Sequence, residues 1–289
     1  MSDAAPICIA VLAHNEAARI ATCLKSLPLN NPEVAIHVVV NGSTDATSSI
    51  AADIASTASN VRVHVFNEGG KARSWNRFLF DELTAFHATH VFVDGDAEVV
   101  PGSIAALEAT LEAQPGVNAA AGLPMNGRKM AYYQQAMRAE HGLFGDLYAL
   151  RGDFLSRMKA ANIRLPDDVI GDDGLICAMA KTGLADESQW RNQRVATCEG
   201  AGFLCAPVRL LSPASWLMQY RRMINYSVRH FQNAMISRIM RDAGPKGLPR
   251  QLSDIYSREL PALQPRSSPE LFWFDRLALR RMARAVAPA

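Results

Sequence analysis

Within its first 111 residues the chain repeats one pattern four times: a short apolar run, a polar break, then apolar residues at helical spacing. Ile7–Ala13 is continuously apolar, as a strand buried on both faces must be. Ala17–Leu27 follows, with Ile20, Leu24 and Leu27 on one helical face. Ile36–Val40 predicts the second strand. Its helix opens near Ser43 and Thr44, whose hydroxyls suit an N-cap, and runs to about Ala58. Val61–Phe66 and a helix over Ala72–Phe86 make the third unit. The fourth has Val91–Val93 as its strand and a helix through Leu111, with Pro101 in the first turn, where a missing N–H costs nothing. Four such units in series specify a parallel sheet with helices on both faces.

Each strand breaks off into polar residues on its carboxyl side: His14-Asn15-Glu16, Asn41-Gly42-Ser43-Thr44-Asp45, Asn67-Glu68-Gly69-Gly70-Lys71 and Asp94-Gly95-Asp96. Open α/β sheets bind ligands at those ends, so four clusters in succession predict a nucleotide-sized site. No G-x-G-x-x-G follows the first strand and no G-x-x-x-x-G-K-[ST] occurs anywhere, which removes both familiar phosphate cradles. Asp94-Gly95-Asp96 supplies another solution. Two carboxylates two residues apart can hold a hard divalent cation, Mn²⁺ or Mg²⁺, in an oxygen shell. At that place the cation can act as a Lewis acid on a diphosphate.

The second half reads as a strand over Val117–Gly122, an amphipathic helix over Met130–Phe144 and a short strand over Leu147–Leu150. Two acidic pairs follow, Asp167/Asp168 and Asp172/Asp173, the second leading into the helical Leu175–Lys181. A carboxylate in a loop facing a bound diphosphate can take the proton of an attacking hydroxyl. Gly171 and Gly174 let the backbone at the second pair approach a ligand closely. Asp172 can equally cap that helix, with Asp173 as a first-turn acid.

Taken in order, Ile9-Ala10-Val11-Leu12-Ala13-His14-Asn15-Glu16, Asn41-Gly42-Ser43-Thr44-Asp45, Gly70-Lys71 with Trp75-Asn76, Asp94-Gly95-Asp96 and Gly171-Asp172-Asp173 resemble the family-2 glycosyltransferases with the GT-A fold. The resemblance covers about residues 6–185 and implies an inverting transfer from a nucleoside-diphosphate sugar, most often UDP-linked. It places Asn15, Glu16 and Asn41 at the nucleoside, Lys71 at the phosphates, and Asp94 on the ribose or metal side. It makes Asp96 the principal metal ligand and Asp173, or its neighbour Asp172, the base. Asn41 is a departure, since many members carry aspartate there.

Charge divides the chain. Residues 1–200 hold 16 Lys and Arg against 23 Asp and Glu, whereas residues 201–289 hold 14 against 5. This places a catalytic domain at 1–210 and a basic helical extension at 211–289. A basic tail suits an anionic membrane surface or an acidic face of the chain itself. Within it, Trp216–Met223 has helical spacing and resembles the Gln-x-x-Arg-Trp element of processive synthases, with Met223 in place of the tryptophan. Arg221, Arg222, Arg229 and His230 can close over the diphosphate, or His230 can complete the metal shell. Gly244–Pro249 and Pro261–Pro269 read as linker. Glu270–Ala287 is a basic amphipathic helix that can lie on a membrane, where lipid-linked hydroxyl acceptors reside, or dock on its own domain or on a second subunit in a homodimer. No stacking motif interleaves the arginines, which argues against nucleic acid. Five cysteines without a framework fit a reducing compartment, and no run reaches the length of a membrane span, so the expected location is cytoplasmic or peripheral at the inner membrane surface. Two rivals remain: a nucleotidyltransferase, which would place a glycine-rich basic loop where His14-Asn15-Glu16 stands, and a non-catalytic nucleotide-sugar-binding scaffold.

Overall fold

In β1 (Ile7–Ala13) all seven side chains are buried, and successive ones enter opposite layers. Cys8, Ala10 and Leu12 join one hydrophobic core, and Ile7, Ile9, Val11 and Ala13 join the other. This is the period of two that a pleated strand imposes. The structure is a computed structural model that describes residues 6–205 and 213–286, with side chains from residue 216 onward in the second stretch.

β2 (Val34–Asn41) and then β3 (Val61–Phe66) lie parallel on one side of β1, and β4 (Thr89–Asp94) lies parallel on the other. Beyond β4 the sheet continues through β7 (Leu147–Arg151), β6 (Ala119–Pro124), β8 (Val195–Cys205) and β5 (Ala97–Val99). β6 and β8 are parallel, while β7 is antiparallel to both of its neighbours and β5 is antiparallel to β8. The sheet is therefore mostly parallel, as the four strand–helix units require, with a reversal at β7. That reversal aligns Val93 with Leu147 and so sets the residue after β4's core beside the residue before β7.

Helices cover both faces. α1 (Ile20–Lys25), α2 (Thr47–Ala55) and α4 (Ser103–Ala113) pack on the core lined by Ile9 and Val11. α3 (Lys71–Arg77), α5 (Met130–Glu140), α6 (Gly152–Ala160) and α7 (Asp172–Thr182) pack on the opposite core. The same core takes in Phe231 and Met235 of α8 (Pro213–Asp242), Tyr256 of α9 (Ser253–Glu259) and Met282 of α10 (Pro269–Val286). The basic C-terminal helices thus share a core with the sheet. Among the described residues no helix is long and apolar enough to cross a membrane.

Several element boundaries differ from the sequence reading for identifiable reasons, and two strands, β5 and β8, have no counterpart in it. The second helix begins at Thr47 rather than Ser43, because Ser43, Thr44 and Asp45 serve the neighbouring loop instead: Ser43 Oγ accepts from Asn15 N–H at 3.0 Å and Asp45 from Ala17 N–H at 3.1 Å. The third helix stops at Arg77 and continues as one wider turn over Phe78–Glu82. An ideal helix would carry one of three consecutive side chains outward, whereas this turn keeps Phe78, Leu79 and Phe80 buried. The segment read as a linker at Gly244–Pro249 forms a 3₁₀ turn whose Gly244 and Pro245 are buried, because α8 stays on the core up to that point.

Candidate active site

The site forms where the carboxyl ends of β1, β2 and β4 meet the amino end of β7. Gly95 makes the turn after β4 possible. Its N–H donates to Leu12 O at 2.9 Å, and a Cβ there would stand 2.8 Å from that of Ala13. This tight return brings Asp94 and Asp96 together at the β1 terminus. The reversed strand then brings in Asp146, whose carbonyl accepts from Asp94 N–H at 3.2 Å. One carboxylate oxygen from each of Asp94, Asp96 and Asp146 lies within 4.8 Å of the others.

Cations flank this trio. Lys71, at the start of α3, places Nζ 2.6 Å from Asp94 Oδ1 and 3.7 Å from Asp172 Oδ2. Burial alone would lower the Lys71 pKa, but Asp172 and Asp94 outweigh it and hold the ammonium well above its ordinary value. Burial pushes Asp94 up against the opposing pull of Lys71, with Asp146 and Asp172 adding to the rise. Burial raises Asp146 as well, against a hydrogen bond from the Cys205 thiol, and Asp96 adds to the rise. On the other side Arg19 spans Glu16 at 2.6 Å and Asp96 at 3.2 Å. Burial, with Asp96 nearby, raises Glu16. Carboxylates crowded to this degree carry unbalanced negative charge, and three of them form a hard-oxygen donor set suited to Mn²⁺ or Mg²⁺.

Asp172 and Asp173 open α7, where the helix dipole favours acids. They occupy different surroundings. The Asp172 side chain is 7% exposed and turned to Lys71, whereas that of Asp173 is 19% exposed and accepts a 3.1 Å contact from Arg229 of α8. A Cβ on Gly145 would lie 3.1 Å from Lys71 Nζ, 3.6 Å from Asp94 Oδ2 and 3.8 Å from Asp173 Cβ, so all four positions share one corner of the cleft. The competing pair is structural: Asp167 accepts from Asn76, and Asp168 accepts the N–H groups of Leu252 and Ser253.

Other residues singled out in the sequence hold the loops together. Asn41 is buried, its amide donating to Ala13 O at 3.3 Å while its oxygen accepts from Gly70 N–H at 3.1 Å. An aspartate could not donate the first of these bonds, which gives the asparagine a structural reason. Asn15, in the left-handed region at φ 56° that asparagine tolerates, accepts from Thr44 N–H at 2.8 Å. His14 Nδ1 meets Asn41 O at 2.6 Å. Arg222 is exposed on α8, about two turns before Arg229, and His230 is exposed next to it. Asp146 and Arg19 also belong to the site, and no sequence motif marks either. The only trace of Asp146 in the sequence is the polar break Gly145-Asp146 ahead of the apolar Leu147–Leu150.

Comparison with known proteins bears on the fold and the family. A mannosyltransferase from Pyrobaculum calidifontis, solved with GDP-mannose and Mn²⁺, superposes with a TM-score of 0.61 at 22% identity, over 98% of this chain and 76% of that one. Staphylococcus aureus TarS residues 1–349 superpose with a TM-score of 0.56 at 18% identity, over 97% and 80%. Glucosyl-3-phosphoglycerate synthase from Mycobacterium tuberculosis, solved with Mn²⁺, UDP-glucose and phosphoglyceric acid, gives 0.55 at 18% identity, over 84% and 80%. At such identities these likenesses establish the GT-A fold. Among curated proteins none matches the sequence. The model of glycosyl transferase family 2 matches residues 8–183, well over half the chain. The chain belongs to glycosyl transferase family 2 and is a glycosyltransferase.

Proposed function

We propose that the protein transfers a sugar from a nucleoside-diphosphate sugar to a hydroxyl acceptor by a single displacement with inversion. The observation that carries this reading is the gathering of Asp94, Asp96 and Asp146 within 4.8 Å at the end of the parallel strands. These carboxylates would hold Mn²⁺ or Mg²⁺, whose contribution there is Lewis-acid neutralisation of the departing diphosphate. Lys71, kept charged by Asp94 and Asp172, adds a fixed positive charge at the same corner. Glu16 and the loop braced by Asn15 and Asn41 border the nucleoside side of the cleft. Asp173 serves as the base: it is the more exposed of the α7 pair and shares the cleft corner with Lys71 and Asp94. Asp172 positions Lys71. Arg229 orients the Asp173 carboxylate, and Arg222, further along α8, reaches the donor when the cleft is filled.

The solved neighbours carry GDP-mannose in one case and UDP-glucose in another, and we assign UDP as the donor nucleotide here. Calorimetric titration with UDP, GDP and CDP, each with Mn²⁺ and with chelator, tests the reading on wild type and Asp96→Ala. Metal-dependent binding of UDP, lost in the variant, is the expected result. Binding of GDP instead overturns the nucleotide assignment. Binding of none, or binding indifferent to chelator and to Asp96, overturns the donor site itself.

A further inference from the structure

α10 docks on the protein with one face and leaves the opposite face bare. Asp275, Ala278 and Met282 are buried, with Leu271 and Phe274 half-buried beside them. Asp275 receives both arms of Arg266, at 2.6 and 2.9 Å. On the outward arc, Phe272, Trp273, Arg276, Arg280 and Arg284 are all exposed. At 100° per residue these five positions fall within about 120° of the helix circumference. Neither acidic residue of α10 lies in that arc: Asp275 is buried and Glu270 sits about 100° from its centre.

The aromatic end of this stripe is Phe272 and Trp273, with the Arg276 guanidinium 5.8 Å from the centroid of the Phe272 ring. Tyr220 meets Phe274 edge-on at 5.8 Å, which sets the amino ends of the two helices side by side. Phe272 is 43% exposed and Trp273 56%. Scattered apolar residues on a surface are ordinary, but a contiguous patch bordered by arginines marks a contact. The face is a convex helix surface, not a groove. Aromatic rings of this kind sit at the headgroup level of a bilayer, and arginines beside them match anionic headgroups.

We propose that the outward face of α10 binds an anionic lipid surface peripherally. The inference uses none of the cleft residues and stands independently of the transfer reaction.

The test is sedimentation of the full chain with vesicles of phosphatidylcholine alone and of phosphatidylcholine with one third phosphatidylglycerol. Binding to the anionic vesicles only, weakening with salt, is expected. Each arginine contributes a factor of about five in partition, so Arg276→Gln, Arg280→Gln and Arg284→Gln together lower it about 100-fold. The corresponding triple lysine variant retains binding, which separates charge from folding. Phe272→Ser with Trp273→Ser also weakens it, with an unchanged melting temperature. Equal binding to neutral vesicles, no binding to either, or an undiminished glutamine variant overturns the proposal. So does a concentration-dependent dimer that Trp273→Ser abolishes while vesicles are ignored.

Discussion

Asp173→Asn removes a proton acceptor and leaves the shape of the side chain. The Arg229–Asp173 pair is partly exposed, at 33 and 19% of its side chains, so its loss costs less than about 1 kcal/mol of stability. General-base assistance is worth roughly 10²–10⁴ in rate, and a hundredfold loss corresponds to about 2.7 kcal/mol of barrier. Turnover of Asp173→Asn is therefore expected to fall at least about 100-fold, with the donor dissociation constant within about threefold of wild type. Asp172→Asn acts elsewhere. It withdraws a carboxylate 3.7 Å from Lys71 in a side chain only 7% exposed, so donor affinity and melting temperature fall together. Release of nucleoside diphosphate measured by chromatography gives turnover, and calorimetry with Mn²⁺ gives affinity. An Asp173→Asn enzyme within about fivefold of wild-type turnover refutes the assignment. A rate loss in Asp172→Asn with intact donor affinity transfers the role to Asp172.

Arg19 neutralises Asp96 and Glu16; Arg19→Ala is expected to tighten Mn²⁺ binding without nucleotide, and calorimetry showing weaker binding would contradict this. Burial holds His37 and His90 at about 3, below the ordinary 6.5, with His64 and His87 respectively adding to the effect. The fold thus keeps both rings neutral, so their contribution is complete above about pH 6.5 and is lost as pH falls toward 3. Urea midpoints should drop between about pH 7 and 5, and a flat profile would disprove it. Burial alone would raise Asp275, but the hydrogen bonds from Arg266 and Ser227 hold it at about 2. Its contribution is present above about pH 4 and lost as pH falls through 2. Arg266→Ala leaves that buried carboxylate unpaired, an expected loss of about 3–5 kcal/mol by denaturant titration; a loss under about 1 kcal/mol would show that α10 is held by its apolar face alone.

Much of the fold was legible because its signals are local. The continuous apolar run of Ile7–Ala13 can only be a strand covered on both faces, and all seven residues are buried. Asp94, Asp96 and Lys71 follow strands of one direction, so the rule that ligands sit at carboxyl ends found them. Asp146 escaped that rule because β7 is antiparallel: it is the amino end of the strand that faces the cleft. Periodicity places Arg19 inside a helix beginning at Ala17. In the fold Glu16 O takes the N–H groups of Arg19 and Ile20, each at 2.8 Å, and the shortened helix leaves Arg19 at the loop, aimed at Asp96.

The sequence by itself determined the order of the first four strand–helix units, the layering of the core and the placing of acids after apolar strands. Periodicity and chain direction are written residue by residue. Tertiary structure alone decided which groups act on one another. Asp94 meets Asp146, Lys71 meets Asp172 and Asp173 meets Arg229. Each of these partners is more than 50 positions away, and each pairing depends on which way β7 runs and where α7 and α8 dock. No local pattern encodes those choices. They come from burying two faces of one sheet at once, which is a property of the whole chain.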